Sequence, residues 1–136
     1  MIIAVDFDGT CVEHAFPNVG LDVPGAELWL KRFIGANAKI ILWTMRSDDV
    51  SRGRKVLSDA IQWFADRNIP LFGINQNPEQ YKWTNSPKAY AQIYIDDAAA
   101  GCPLIPSTTS NRPMVNWSVI GPMIMNNLVP TNLTNL

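Results

Sequence analysis

Histidine occurs once and cysteine twice in the 136 residues. Cys11 and Cys102 have no Cys-x-x-Cys partner, so zinc-ribbon and dithiol motifs are lacking and the pair reads as free thiols of a reducing compartment. Charge is also sparse, with 11 Lys and Arg against 12 Asp and Glu and a formal net charge of −1. That balance offers no broad basic field and disfavours generic nucleic-acid binding. No apolar run approaches the roughly 20 residues of a membrane-spanning helix. The first residues carry no basic segment, and Asp6 interrupts the apolar run that a secretion signal would need. A cytoplasmic protein with no membrane partner is expected. Internal repeats, low-complexity tracts and a domain linker are missing as well. What is present is 47% hydrophobic residues, enough at this length for one domain with a real core and no metal or disulfide staples. The reading is a single domain over 1–136, with a core over 1–106 and a tail, 107–136, of uncertain role.

The chain is organised around its first ten residues. The apolar run Ile2 to Val5 stops at Asp6-Phe7-Asp8-Gly9-Thr10. A short apolar run bounded by a turn reads as a strand buried on both faces, as in parallel sheets. In open α/β sheets the ligand crevice lies just beyond the carboxyl ends of such strands. Asp6 and Asp8 stand there, and carboxylates this close repel unless a cation or a shared proton relieves them.

Residues 11–23 lack periodicity and read as an irregular flap over that strand end. Asp22 and Pro24 start a helix whose stripe is Ala26, Trp29, Leu30 and Phe33, with Gly35 and Asn37 as stops. Lys39 to Thr44 is a second strand. Ser47 or Asp48 caps a helix marked by Leu57, Ala60, Ile61 and Phe64, weakened by Gly53 and ended by Asn68-Ile69-Pro70. Leu71 to Ile74 is a third strand, followed by the loop Asn75 to Pro78. Ser86-Pro87-Lys88 predicts one helical turn, Ala91 to Ile95 a fourth strand ending in Asp96-Asp97, and Leu104-Ile105 a minimal fifth. This alternation predicts an α/β parallel sheet. In the tail, Trp117, Ile120, Ile124 and Leu128 fit a helical face that Gly121-Pro122 interrupts, and the last residues are expected to fray. Asn116-Trp117-Ser118 and Asn132-Leu133-Thr134 match a glycosylation pattern, discounted because no secretory route is expected.

Polar residues thus fall at strand ends in the order Asp6 and Asp8, Thr44, Lys88 just before the fourth strand, then Asp96 and Asp97. Asp-x-Asp-x-Thr after the first strand, with the others in that order, resembles the four motifs of the haloacid dehalogenase superfamily. The resemblance runs from Met1 to the neighbourhood of Ala100. Most members of that superfamily are magnesium-dependent phosphatases. It implies a three-layer, doubly wound parallel sheet. The gaps from Asp8 to Thr44 and from Thr44 to Lys88 have no room for a cap domain, so the chain resembles the capless branch. An open site accepts large phosphorylated substrates unless homo-oligomerisation or the tail walls it off.

The resemblance also implies roles. Asp6 would be the nucleophile that forms an aspartyl phosphate, dividing one hard step into two. Asp8 would protonate the leaving oxygen and later deprotonate water. Mg2+, a hard cation favouring oxygen ligands, would be held by Asp6, Asp96 and the backbone carbonyl of Asp8. Asp97 either binds it through water or only caps the following turn. Thr44 would donate to a phosphoryl oxygen, and Lys88, with Lys82 as its rival, would neutralise the phosphate and Asp6. The turn at Gly9 and Thr10 would let backbone N–H groups approach the anion. Four carboxylates against Mg2+ and one lysine leave an excess of negative charge, which a protonated Asp8 relieves.

Other residues are less determined. Arg46 is placed among the substrate-binding candidates, a structural ion pair being equally open. Asn75 joins it from the end of the third strand; Asn77 is close by, and either is also ordinary turn chemistry. His14 touches substrate or is plain surface, and Trp83 is the best aromatic contact. The expected function is a Mg2+-dependent phosphomonoester hydrolase. Dehalogenase chemistry is disfavoured, because Asp8 and a magnesium site belong to the phosphatase pattern. The alternative is a non-catalytic or phospho-accepting signalling module. A receiver-type domain fits poorly, since its phospho-accepting Asp follows the third strand, where this chain has Asn75.

Overall fold

A computed structural model describes residues 1–128. The Asn132-Leu133-Thr134 pattern and the expected frayed end lie outside the described residues. Four strands, β1 (Ile2–Val5), β2 (Lys39–Leu42), β3 (Leu71–Ile74) and β4 (Ile93–Ile95), form one parallel sheet in the order β3-β2-β1-β4. β1 is therefore central, and its residues Ile3, Ala4 and Val5 are buried on both faces of the sheet, which is why its run is apolar without alternation. Ile3 pairs with Ile40 and Ile93, and Val5 with Leu42 and Ile95, so these side chains line one face. Ala4 and Ile41 point to the other face and are equally buried.

The helices α1 (Ala26–Gly35), α2 (Val56–Asp66) and α3 (Trp117–Leu128) share one core with Ile3, Val5, Ile40 and Leu42. Phe7 stands edge-on to Trp63 of α2 at 5.9 Å, and Phe33 of α1 lies 6.3 Å from Trp117 of α3. Successive right-handed crossovers that advance in one direction place their helices on one face, and β1-α1-β2-α2-β3 does so. The connection from β3 to β4 bypasses β2 and β1 in the sheet order and carries a 3-10 turn at Gln80–Lys82 and no α-helix. The fold is thus α/β, with a central four-stranded parallel sheet and three helices. None of these helices is long and apolar enough to cross a membrane.

Several expected elements are placed differently. α2 begins at Val56, and 47–55 hold a 3-10 turn (Val50–Arg52) closed by Gly53 at φ 63°. Asp48 still caps α2 from a distance, its carboxylate accepting the N–H groups of Leu57 (2.9 Å) and Ser58 (3.0 Å). No helical turn forms at Ser86 to Lys88. Leu104-Ile105 does not join the parallel sheet; as β5 (Leu104–Ile105) it pairs antiparallel with β6 (Met114–Val115).

Gly121-Pro122 does not interrupt α3. Gly121 is buried where α3 crosses α1, and a Cβ there would overlap the Trp29 indole. The N–H that Pro122 lacks would have bonded the carbonyl of Ser118, a residue exposed to water, so the helix continues at modest cost.

The flap is less irregular than its sequence suggests. Glu13 N–H donates to the Leu21 carbonyl (2.8 Å) and Val23 N–H to that of Cys11 (2.9 Å). The Glu13 side chain reaches the tail, accepting from Ser107 Oγ (2.7 Å), Thr108 N–H (2.6 Å) and Thr109 Oγ1 (3.0 Å). The Ser107 hydroxyl foremost, with the Thr108 N–H, pushes the Glu13 carboxyl down to about 2.

Two outcomes are expected. A depressed folded-state pKa stabilises fully above the ordinary value of 4.5 and loses that contribution as pH falls towards 2. The Tm gap between wild type and Glu13→Gln should therefore close across that interval in pH-dependent thermal unfolding; a gap independent of pH would contradict the assignment. Gly121→Ala should lower stability by about 1–3 kcal/mol in urea titration, as overpacking does.

Candidate functional site

The hydrogen-bond ladder continues one residue past the strands. Asp6 N–H donates to Ile95 O (2.9 Å), Trp43 N–H to Val5 O (2.9 Å) and Asn75 N–H to Leu42 O (2.7 Å). Asp6, Trp43, Thr44, Asn75 and Asp96 consequently meet at the carboxyl rim of the sheet. With Met45 they line an open cleft of about 280 Å³.

Beyond Asp6 the chain turns sharply. Gly9 adopts φ 82°, and the N–H groups of Thr10 (3.1 Å) and Cys11 (2.8 Å) both donate to the Phe7 carbonyl. This buries Thr10, whose hydroxyl donates to Asp6 Oδ2 (3.1 Å) and accepts the Asp97 N–H (3.2 Å). One hydroxyl thereby fastens the end of β1 to the end of β4. From below, the Gly9 carbonyl accepts Val115 N–H (2.9 Å) and the Thr10 carbonyl accepts Trp117 Nε1 (2.7 Å).

Carboxylate oxygens of Asp6, Asp96 and Asp97 all lie within 4.8 Å of one another. Burial foremost, then the charge of Asp96 and the hydrogen bond and charge of Asp97, pushes Asp6 up to about 8. Burial also raises Asp96. Among the described residues, neither lysine nor arginine lines the cleft. Crowded oxygen donors without a counter-charge match the ligand chemistry of a hard divalent cation.

Asp8 does not share this cluster. Arg46 grips it bidentately, Nε to Oδ2 at 2.8 Å and Nη2 to Oδ1 at 2.7 Å. The arginine is itself consumed: Nη1 donates to Val56 O (3.0 Å), Nη2 to Asn18 O (2.8 Å), and Phe7 and Phe16 flank its plane. With its side chain 1% exposed, Arg46 forms a buried ion pair and is not among the residues that line the cleft.

The remaining candidates separate in the same way. Thr44 stays in the cleft, its N–H held by Asn75 Oδ1 (2.8 Å) and its hydroxyl oxygen accepting Arg46 N–H (3.1 Å). Asn75 lines the cleft too, but its side-chain oxygen is spent on Thr44. Thr10 is fully buried, and its hydroxyl holds Asp6 and Asp97. Gly9 faces the His14–Asp97 pair, whose atoms a Cβ would overlap, so its φ and its small size serve that contact. Lys88 is not brought to the cluster; its ammonium stands 5.5 Å from the Tyr94 ring in a groove with Trp83 and Tyr90. No described carboxylate pairs with it, nor with Lys82. The stretch before β4 is held by the loop after β3, Asn77 Nδ2 donating to Tyr90 O (3.0 Å) and Gln80 Nε2 to Lys88 O (3.0 Å). Asn77 is buried, its amide holding Tyr90 O (3.0 Å).

Sequence reasoning missed Trp43 and Met45, which simply follow β2, and the pairing of His14 with Asp97. His14 Nε2 lies 2.7 Å from Asp97 Oδ2, both largely sheltered, across 83 positions of sequence that carry no local signal of the contact.

Replacing Arg46 by Met should strand the Asp8 carboxylate. Unfolding stability should fall by about 3–5 kcal/mol, the usual cost of breaking a buried pair. An unchanged urea midpoint would contradict the structural contribution assigned to the pair.

No protein-family model and no curated protein matches the chain. Among solved structures, that of a conserved protein from Bacteroides thetaiotaomicron is similar, with a TM-score of 0.73 and 32% identity. The match covers 93% of this chain and 91% of that one. At that identity and coverage, this chain belongs to the same α/β, parallel-sheet family as the conserved Bacteroides protein.

Proposed function

We propose that the protein is a Mg2+-dependent phosphomonoester hydrolase of the capless haloacid dehalogenase type, working through an aspartyl phosphate at Asp6. One observation carries the reading: Asp6, Asp96 and Asp97 converge at the rim of parallel strands, facing Thr44 across an open cleft. When bound by Asp6, Asp96 and Asp97, with the Asp8 carbonyl added by resemblance, Mg2+ would supply positive charge for the carboxylates and the phosphoryl oxygens. The Thr10 hydroxyl orients Asp6 for attack on phosphorus. As the new O–P bond forms, the bond to the leaving oxygen breaks and that oxygen takes up a proton. Water then cleaves the Asp6 phosphate, restoring the carboxylate and releasing inorganic phosphate. Thr44 donates its hydroxyl to a phosphoryl oxygen, its backbone fixed by Asn75. Asp8 serves as acid and base once the Arg46 fork releases one oxygen.

No inserted domain stands between Asp8 and β2 or between Thr44 and β4, so a large substrate has access. Cys11 and Cys102 are free, in keeping with a cytoplasmic setting. The Asp8–Arg46 pair, and a Lys88 ammonium that sits by Tyr94 without a described carboxylate partner, favour a second reading, a phospho-accepting module that turns over slowly or not at all.

Phosphate release from p-nitrophenyl phosphate decides between them. Turnover with Mg2+ that disappears with EDTA and in Asp6→Asn is the expected result. Absence of turnover in folded wild type, together with beryllofluoride labelling that requires Asp6, would establish the phospho-accepting module; absence of both would remove phosphoryl chemistry altogether.

A further inference from the structure

Two nitrogen-bearing side chains contact the four carboxylates at the strand ends: Arg46 holds Asp8, and His14 meets Asp97. His14 comes from the flap, outside every motif, yet Nε2 lies 2.7 Å from Asp97 Oδ2, with side chains only 12% and 10% exposed. With Asp97 ionised, as a metal ligand must be, its carboxylate accepts and Nε2 is the donor of this bond. The turn is shaped around the contact: Gly9 at φ 82° leaves the space that His14 Nε2 and Asp97 Oδ2 occupy. The opposite side of Asp97 is fixed as well, because its backbone N–H is held by Thr10 Oγ1 (3.2 Å). The flap in turn is fastened next to His14, at Glu13, by the Glu13–Leu21 backbone bond and by the contacts of the Glu13 carboxylate with 107–109.

Resting on the metal-dependent reading above, we infer that His14 is the positioning residue for Asp97. Its N–H fixes which carboxylate oxygen is committed to the flap and which faces Asp6 and Asp96. Carboxylates that bind metals are themselves hydrogen-bonded, and loss of such a partner commonly weakens metal affinity about 10–100-fold. Without the bond, Asp97 is free to rotate away from two like-charged neighbours, so the divalent site has to be assembled against their repulsion at each binding event. The flap thereby does more than cover the strand end, and no lysine is needed to hold Asp97 in place.

The test is direct metal binding by the full chain, free of any activity: Mn2+ titration followed by electron paramagnetic resonance, with Mg2+ competition. His14→Ala should weaken Mn2+ affinity about 10–100-fold. His14→Gln, which keeps an N–H near the Nε2 position, should recover most of the loss. In an Asp97→Asn background the His14 substitution should have little further effect, because residues acting through one contact are not additive. Should His14→Ala fail to fold, His14→Leu, of closer volume, takes its place. Undiminished Mn2+ affinity would overturn the inference. So would a lowered Tm with unchanged affinity, an equal loss in His14→Gln, or a full additional loss in the Asp97→Asn background. If wild type takes up no Mn2+, the metal-dependent reading itself falls and this inference with it.

Discussion

Repulsion among carboxylates at the carboxyl ends of two adjacent parallel strands is the constraint on which this structure depends. β1 and β4 deliver Asp6, Asp96 and Asp97 to the same point, where their oxygens lie within 4.8 Å of one another. Neighbouring negative charges and burial make such a cluster unfavourable by itself. Its surroundings are organised accordingly. Arg46 removes Asp8 from the cluster by a two-pronged ion pair, and Thr10 and His14 hold Asp6 and Asp97 by hydrogen bonds. The charge left uncompensated is what a divalent cation would neutralise.

The support for this arrangement comes from parts of the chain with no evident chemistry. Trp117 and Val115 hold the carbonyls of Thr10 and Gly9 from beneath, while Glu13 ties the flap to residues 107–109. The region beyond residue 106 is therefore no free appendage. Through residue 128 it packs on α1 and buttresses the acidic turn, which explains why its apolar face is buried against Trp29 and Phe33. A shift of the tail would be felt at Asp6 through one residue, Thr10.

Much of the fold was legible because its signals are local. Ile2–Val5, Lys39–Leu42 and Leu71–Ile74 are apolar runs of strand length, and the stripe of α1 follows the helical period. Where the reading failed, a distant contact won. Gly121-Pro122 reads as a break, yet a helix continues because only glycine fits against Trp29. Leu104-Ile105 reads as another parallel strand, yet Met114-Val115 offers a nearer antiparallel partner. The second helix starts late because Asp48 caps it across an intervening 3-10 turn.

The candidate site divides along the same line. Residue type and order along the chain were enough to place Asp6, Thr44, Asn75, Asp96 and Asp97 at one rim, because parallel strands carry whatever follows them to the same end of the sheet. What sequence could not determine was the orientation and pairing of side chains once there. Asp8 and Arg46 are 38 residues apart, His14 and Asp97 83. Their pairing depends on how the flap folds back over the sheet. Lys88 matched by order, yet its ammonium stands by the Tyr94 ring and forms no ion pair with a described carboxylate. Strand order is written in local hydrophobicity, whereas the partner of a charge is decided by whatever the completed fold brings within about 3 Å.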